Sequence, residues 1–223
     1  MQKHQPHVRY TADSYDEYTA GFVKPFDDLL AGRILEEVSP GQSGKVILDI
    51  GTGTARFLLR LAGLAELAGW RIIGTDVFAD MLDRARRTVG EEGLVCRIEL
   101  LEQDVHAMDL PDGFADIVIS RSTLHHWDDP ARALAEIYRV LKPGGVAIIH
   151  DVRRDPAPAA IAEFNRLRAE AGLPPSFLEE KFTVAEVEAF LVAAGLSAHA
   201  KVLASQKGLA ALGLAVEMIK PLH

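Results

Sequence analysis

The 223-residue chain has one cysteine, a modest 7% of aromatic residues, and fewer basic side chains (24) than acidic ones (32). Each scarcity removes a class of protein. The single Cys96 permits no intramolecular disulfide and no multi-cysteine zinc site, so a reducing compartment is the expected home and no metal is expected. A formal net charge of −8 leaves no strong positive field for a phosphate backbone, which disfavours nucleic acid as a partner. The start, "MQKHQPHVRY", lacks the apolar core of a signal peptide, and the longest apolar stretch, "GLAALGLAVEMI", is too short to span a bilayer. No membrane anchor is expected, and a cytoplasmic location follows. Composition does not decide the oligomeric state.

What is present is an alternation. Nearly half the residues are hydrophobic, at 48%, enough for one full α/β core. Residues 10–38 read as one or two helices, with Phe26, Leu29, Leu30, Ile34 and Val38 at helical spacing. From Lys45 onward, β-branched runs ("KVILDI", "WRIIGTD", "CRIELLEQD", "ADIVIS", "GVAIIHD") alternate with amphipathic stretches starting near Ala55, Ala79 and Pro130. Strands separated by helices predict a parallel sheet with right-handed crossovers. Residues 156–181 break this rhythm with several prolines around one helical stretch and are expected at the sheet's rim. A capping box at Thr183 and Glu186 then opens a helix that buries Val187, Phe190 and Leu191 and stops at Gly195. "SAHAKVLAS" and "LGLAVEMIK" follow with only a short connection, too short for a parallel crossover, so these two strands are expected to be antiparallel.

The chemistry concentrates at "VILDIGTGTARF". Strand, glycine turn and helix together make a nucleotide cradle, because glycine admits a ligand close to the backbone and the helix start presents free N–H groups. The dinucleotide pattern requires a third glycine where this chain has Arg56, which argues against a nicotinamide oxidoreductase. No Gly-Lys-Ser/Thr run is available for a triphosphate. Asp76 closes the next strand, where it can accept hydrogen bonds from both hydroxyls of a ribose, with Val77 beside it.

The acid followed by Gly51, Gly53 and Ala55 resembles the first motif of class I S-adenosylmethionine-dependent methyltransferases, with Ala55 in place of the third glycine. "IIGTDVFADMLDRAR", "LEQDVHAMDLPDGFADIVIS" and "LHHWDDPARALAEIYRVLKPGG" are similar to the later signatures in the same order, over residues 44–151, most closely in the quinone-biosynthesis branch. The resemblance implies a Rossmann-like doubly wound seven-stranded sheet of order 3-2-1-4-5-7-6 with strand seven antiparallel. It also implies S-adenosyl-L-methionine as the donor, with S-adenosyl-L-homocysteine as product. Within that family Asp49 orients the glycine loop near the methionine end, Asp104 accepts from the adenine amine, and Met81 and Val105 sandwich the ring; Ser120 completes the set. The chain is then one domain: a helical lid over 1–43, whose Tyr15 and Tyr18 fold over the cofactor, a core over 44–151, a substrate-side insertion over 152–182, and a helix with two strands over 183–223. "LKPGG" is expected to be a turn into strand five, and Asp129–Pro130 a helix cap.

Ligands in such sheets sit beyond the carboxyl ends of the strands, which places "SRSTLHHW" beside the methyl donor. His125 and His126 are the candidate bases, since imidazole titrates in the useful range. The favoured expectation is plainer: one of them packs under the rim and bonds the backbone. Arg153 and Arg154 are expected to be solvated. No Asn/Asp-Pro-Pro-aromatic motif follows strand four, and Cys96 sits at the wrong end of the sheet for a nucleophile, so a small-molecule acceptor is left. A SAM-binding partner or sensor without transferase activity is the alternative.

Overall fold

A computed structural model describes residues 24–39, 41–170, 172, 175, 178–205 and 209–222. Along the chain run α1 (Lys24–Glu36), β1 (Val46–Ile50), α2 (Arg56–Ala62), β2 (Arg71–Asp76), α3 (Ala79–Glu91), β3 (Ile98–Glu102) and β4 (Ala115–Arg121). These are followed by α4 (Pro130–Val140), β5 (Leu141–Val152), α5 (Pro158–Glu170), α6 (Val184–Ala193), β6 (Ala200–Leu203) and β7 (Gly213–Ile219). The seven strands form one sheet in the order β3-β2-β1-β4-β5-β7-β6. β1 to β5 pair in parallel, and β7 runs antiparallel to both β5 and β6. The order and the reversed strand both match the sequence expectation.

The apolar strand runs have period two on both faces, which is what a sheet covered on each side requires. Val46, Leu48 and Ile50 of β1 face one layer with Val118, Ala147 and Ile149, where Ala133, Leu134 and Ile137 of α4 and Val187 and Leu191 of α6 pack. Ile47, Ile72, Ile117, Ile119 and Ile148 face the other, against Leu30 and Ile34 of α1 and Phe57, Leu58 and Leu61 of α2. Each such buried Val, Leu, Ile or Phe side chain contributes about 1.5–3 kcal/mol. Two opposed layers therefore hold the carboxyl ends of β1, β2, β4 and β5 in a fixed relation.

Several local expectations change. Leu29 is exposed, and the inner face of α1 instead carries Asp27 with Leu30, Ala31 and Ile34, because the acid has arginine partners beneath it. "LKPGG" lies inside β5 as a bulge: Leu141 pairs with Ala115 and Val146 with Ile117, so Lys142–Gly145 loop out opposite Asp116. The Asp116 carboxylate fastens that bulge by accepting from Lys142 Nζ (2.6 Å), Lys45 Nζ (2.8 Å) and the Val46 N–H (2.9 Å). β3 ends at Glu102, two residues short of Asp104. Asp129 caps α4 as expected, accepting from the Arg132 N–H. The capping box at Thr183 and Glu186 is complete. No helix among the described residues is long and apolar enough to cross a membrane.

Candidate active site

β1 ends at Ile50, and the chain then turns through three left-handed positions, Gly51 (φ 70°), Gly53 (φ 57°) and Ala55 (φ 65°), before α2 begins at Arg56. A Cβ on Gly51 would strike Thr123 Cγ2 at 2.5 Å, so the loop can lie against the exit of β4 only as glycine. The same closeness recurs one strand over, where a Cβ on Gly74 would meet Leu58 Cδ1 at 2.5 Å. Ser120, fully buried, donates to Ile50 O (2.9 Å) and pairs with the Thr123 hydroxyl, which holds Thr123 against the loop.

Asp76 does more than close β2. Its Oδ2 accepts from the Gly53 N–H at 2.8 Å and its Oδ1 from the Phe78 N–H at 3.0 Å, while the Thr52 N–H donates to Thr75 O at 2.8 Å. The carboxylate thus pins the glycine loop to the end of β2, and each oxygen keeps a lone pair for a ligand hydroxyl. Burial raises the Asp76 carboxyl above the ordinary range. Asp49, 3% exposed, is pushed up to about 7, first by burial and further by the nearby Asp76 and Asp27 carboxylates, against the pull of Arg121.

Beyond β2, Val77 and Phe78 remain 52% and 43% exposed, and Met81 is half-buried on the first turns of α3. Val105 is buried in the core and Asp104 is largely exposed. Asp104 Oδ1 accepts from the His106 N–H (2.9 Å) and from His106 Nδ1 (2.6 Å). His106 Nε2 accepts from the Asp129 N–H at 3.2 Å, so the imidazole carries its proton on Nδ1 and directs it at Asp104. Oδ2 is left for a donor such as an exocyclic amine. A loop opened by left-handed residues, exposed apolar flanks, a carboxylate beside each flank and a buried acid at the far end suit an adenosine with a cationic amino-acid tail. Tyr15 and Tyr18 lie outside the described residues.

Arg56, met in the sequence only as a bulky residue at a glycine position, turns out to be a fastener. Its Nη1 reaches Asp27 Oδ2 at 2.6 Å, and Arg121 Nε reaches Asp27 Oδ1 at 3.0 Å. The buried Asp27 thereby ties α1 to the start of α2 and to the end of β4.

On the other side of β4, the histidine expectation is corrected. His125 Nδ1 contacts Asp151 Oδ2 at 2.7 Å, and the His125 N–H donates to the same oxygen at 3.1 Å, so the ring partners a carboxylate and not the backbone. Both side chains are sealed, at 5% and 3% exposure. Asp151 Oδ1 accepts from the Val152 N–H at 2.7 Å. Burial alone would raise this carboxyl, but charge on His125, its hydrogen bonds and the more distant Lys181 bring it down to about 2. His125 Nε2 meets Lys181 Nζ, which no sequence signal had singled out: the lysine lies 56 residues away in the least periodic part of the chain. Burial lowers the lysine's basicity. His126 packs at 3.8 Å between ring centroids and 46° to His125; desolvation of its ring, then charge on His125 and Lys181, lower it to about 4. Arg153 is buried against Asp155 (2.8 Å) instead of solvated, and Arg154 pairs with Glu186 at 2.6 Å.

Comparison with known proteins agrees with this fold. Residues 48–149 match the family model described as a methyltransferase domain. The demethylmenaquinone methyltransferase of Thermus thermophilus is 35% identical over 122 residues, 55% of this chain and 54% of that protein. The chain spans about half the length, or less, of the curated relatives it matches. A Methanococcus maripaludis structure, described as a putative S-adenosyl-L-methionine-dependent methyltransferase, superposes with a TM-score of 0.73 at 24% identity, covering 94% of this chain and 92% of that one. The [4+2]-cyclase SpnF shares the fold at a TM-score of 0.64 and 22% identity, covering 88% of this chain and 81% of its own. Over residues 48–149 the chain matches the methyltransferase-domain family, and its sheet has the fold of that S-adenosyl-L-methionine-dependent methyltransferase structure.

Proposed function

We propose that this protein transfers a methyl group from S-adenosylmethionine to a small-molecule acceptor. The observation that carries the reading is the pairing of two different sites across β4. A glycine cradle pinned by Asp76 lies on one side, and a sealed carboxylate–imidazole pair, Asp151 with His125, lies on the other. Asp76 receives the ribose, Asp104 Oδ2 the adenine amine, Val77, Met81 and Val105 the ring, and Asp49 the cationic tail, with Gly51, Gly53 and Ala55 giving the approach and Ser120 holding the loop. The bound donor supplies a methyl group already activated on a sulfonium, so this chain's residues need only align a nucleophile, exclude water and, where the nucleophile carries a proton, remove it. In this reading the acceptor enters beside the described part of the insertion, which includes α5 (Pro158–Glu170). A quinol-like ring is supported by the name of the Thermus thermophilus relative, and the lack of a strong positive field supports a small molecule over nucleic acid.

Calorimetric titration with S-adenosylhomocysteine, with NADH as control, tests the donor site. Micromolar binding of the first alone is expected, followed by label transfer from S-adenosylmethionine to a panel of small acceptors. Binding of NADH alone, or of neither ligand, overturns the proposal.

A further inference from the structure

Resting on the reading of small-molecule methyl transfer, we propose that Lys181 is the residue that takes the proton from the methyl acceptor, and that the acceptor presents a phenolic or enolic ring hydroxyl. The histidines are set aside on different grounds, one by its contacts and the other by its weak basicity. His125 is 5% exposed, and both of its ring nitrogens are engaged, Nδ1 by Asp151 and Nε2 by Lys181. His126 packs on His125, and desolvation of its ring, then charge on His125 and Lys181, lower its basicity to about 4. Lys181 is half-buried, and its Nζ ends the chain of contacts that begins at Asp151.

A proton count gives the centre its function. Asp151 is anionic, so Nδ1 of His125 keeps its proton and donates it. Nε2 and Nζ face each other and can hold only one proton between them: either an ammonium donates to a neutral ring, or a cationic ring donates to a neutral amine. Loss of that one proton leaves a neutral amine backed by a neutral imidazole and an anion. His125 and Asp151 are then positioning residues, and the amine is the group that meets the acceptor.

The lysine is placed for this by its own segment. The Lys181 N–H donates to Leu178 O at 3.0 Å, the Arg154 N–H donates to Phe182 O at 3.0 Å, and Phe182 packs edge-on to Phe190 at 5.0 Å. Among the described residues, the titratable groups around Nζ are Asp151 from β5, His125 and His126 from the turn after β4, and the adjacent Glu180. Arg153 and Arg154 are occupied by Asp155 and Glu186.

The acceptor class follows from matching acid to base. A phenol, near 10, lies closest to an amine's ordinary value near 10.4, whereas an alkyl alcohol is far too weak an acid and a thiol ionises unaided. In the step, the hydroxyl proton passes to Nζ of neutral Lys181, and the oxygen lone pair forms the O–C bond. The C–S bond breaks with its pair going to sulfur, and the ammonium then releases its proton to water.

The test uses the full chain loaded with S-adenosylhomocysteine and 4-nitrophenol as probe, read by phenolate absorbance. The bound phenol should ionise about one pH unit lower than in water, an effect lost in Lys181→Met and kept in Lys181→Arg, which retains the charge. With hydroquinone and labelled S-adenosylmethionine, the wild type should level off with rising pH, while Lys181→Arg should climb about tenfold per unit toward the phenol's own ionisation. S-adenosylhomocysteine affinity should stay within about twofold in both variants. A wild type that neither shifts nitrophenol nor methylates hydroquinone overturns the acceptor class, and an arginine variant with the wild-type pH profile overturns the lysine's role. Either result leaves the donor site standing if S-adenosylhomocysteine still binds; absence of that binding in the wild type overturns the methyltransferase reading itself.

Discussion

Asp76, beside the proposed donor site, accepts from the backbone N–H groups of Gly53 and Phe78, whereas Asp151, beside the proposed acceptor site, holds the ring of His125 in addition to two backbone N–H groups, and beyond that ring stands Lys181. A carboxylate that holds backbone fixes the shape of a loop and leaves lone pairs for a ligand. A carboxylate that holds an imidazole fixes the position and charge of a group that moves protons. The first arrangement needs short, local spacing and is therefore written as motifs; the second gathers residues from a turn, a strand end and an insertion far apart in sequence.

Replacement of Asp151 by Asn strikes this contrast hardest. Methyl transfer should fall about 10²–10⁴-fold, the size of a lost general-base system, while calorimetric affinity for S-adenosylhomocysteine stays within about twofold. An equal loss in both would merge the two sides into one unit. Asp76→Ala should do the converse, weakening S-adenosylhomocysteine at least about tenfold, since a charged acceptor of ligand hydroxyls contributes about 1.5–3 kcal/mol. Circular dichroism should show the variant still folded, and unchanged affinity would remove Asp76 from the site.

Asp49 supplies a pH dependence confined to the donor side. Its carboxyl sits at about 7 in the folded chain, so below that pH a cationic tail must displace a proton in order to bind. Affinity for S-adenosylhomocysteine should drop about tenfold from pH 8 to pH 6, with proton release measurable by calorimetry in buffers of different ionisation heat, and Asp49→Asn should flatten the curve. Because this folded value is raised, the folded chain binds the extra proton between about 3.9 and 7, and the Asp49 contribution to stability declines as pH rises through that window. The smallest effect is expected from Thr183→Ala, which removes the cap of α6 behind the acceptor side. It should cost about 1 kcal/mol and lower Tm by about 2–4 °C without altering ligand affinity.

What could be read from the chain follows the same division. Strand periodicity and the short link between the last two strands led to the sheet, with the full order implied by the motif resemblance. The place of Asp76 at the end of β2 was legible, because an acid closing a β-branched run is read directly from the strand pattern. Its hold on Gly53 and Phe78 was not, since backbone direction within a loop leaves no compositional trace. Arg56 shows the limit from another side: sequence gave it a role by exclusion, and its ion pair with Asp27 depends on a helix 29 residues earlier. His125 was named, but its partner Lys181 lay in a stretch whose prolines and missing periodicity offered nothing to align.

Ala55 carries a consequence of its own. It holds φ 65°, ψ 13° with no exposed surface, in the layer that includes Leu30 and Phe57. A left-handed alanine costs about 1–2 kcal/mol, and its buried methyl returns about 0.8 kcal/mol that glycine would forgo. The two residues are thus nearly interchangeable there, so selection acting on stability has little grip on which one is kept. The third position of this loop thus calls for a backbone angle more than for one residue type, and a search that insists on the letter G would pass over chains that meet the angle with alanine.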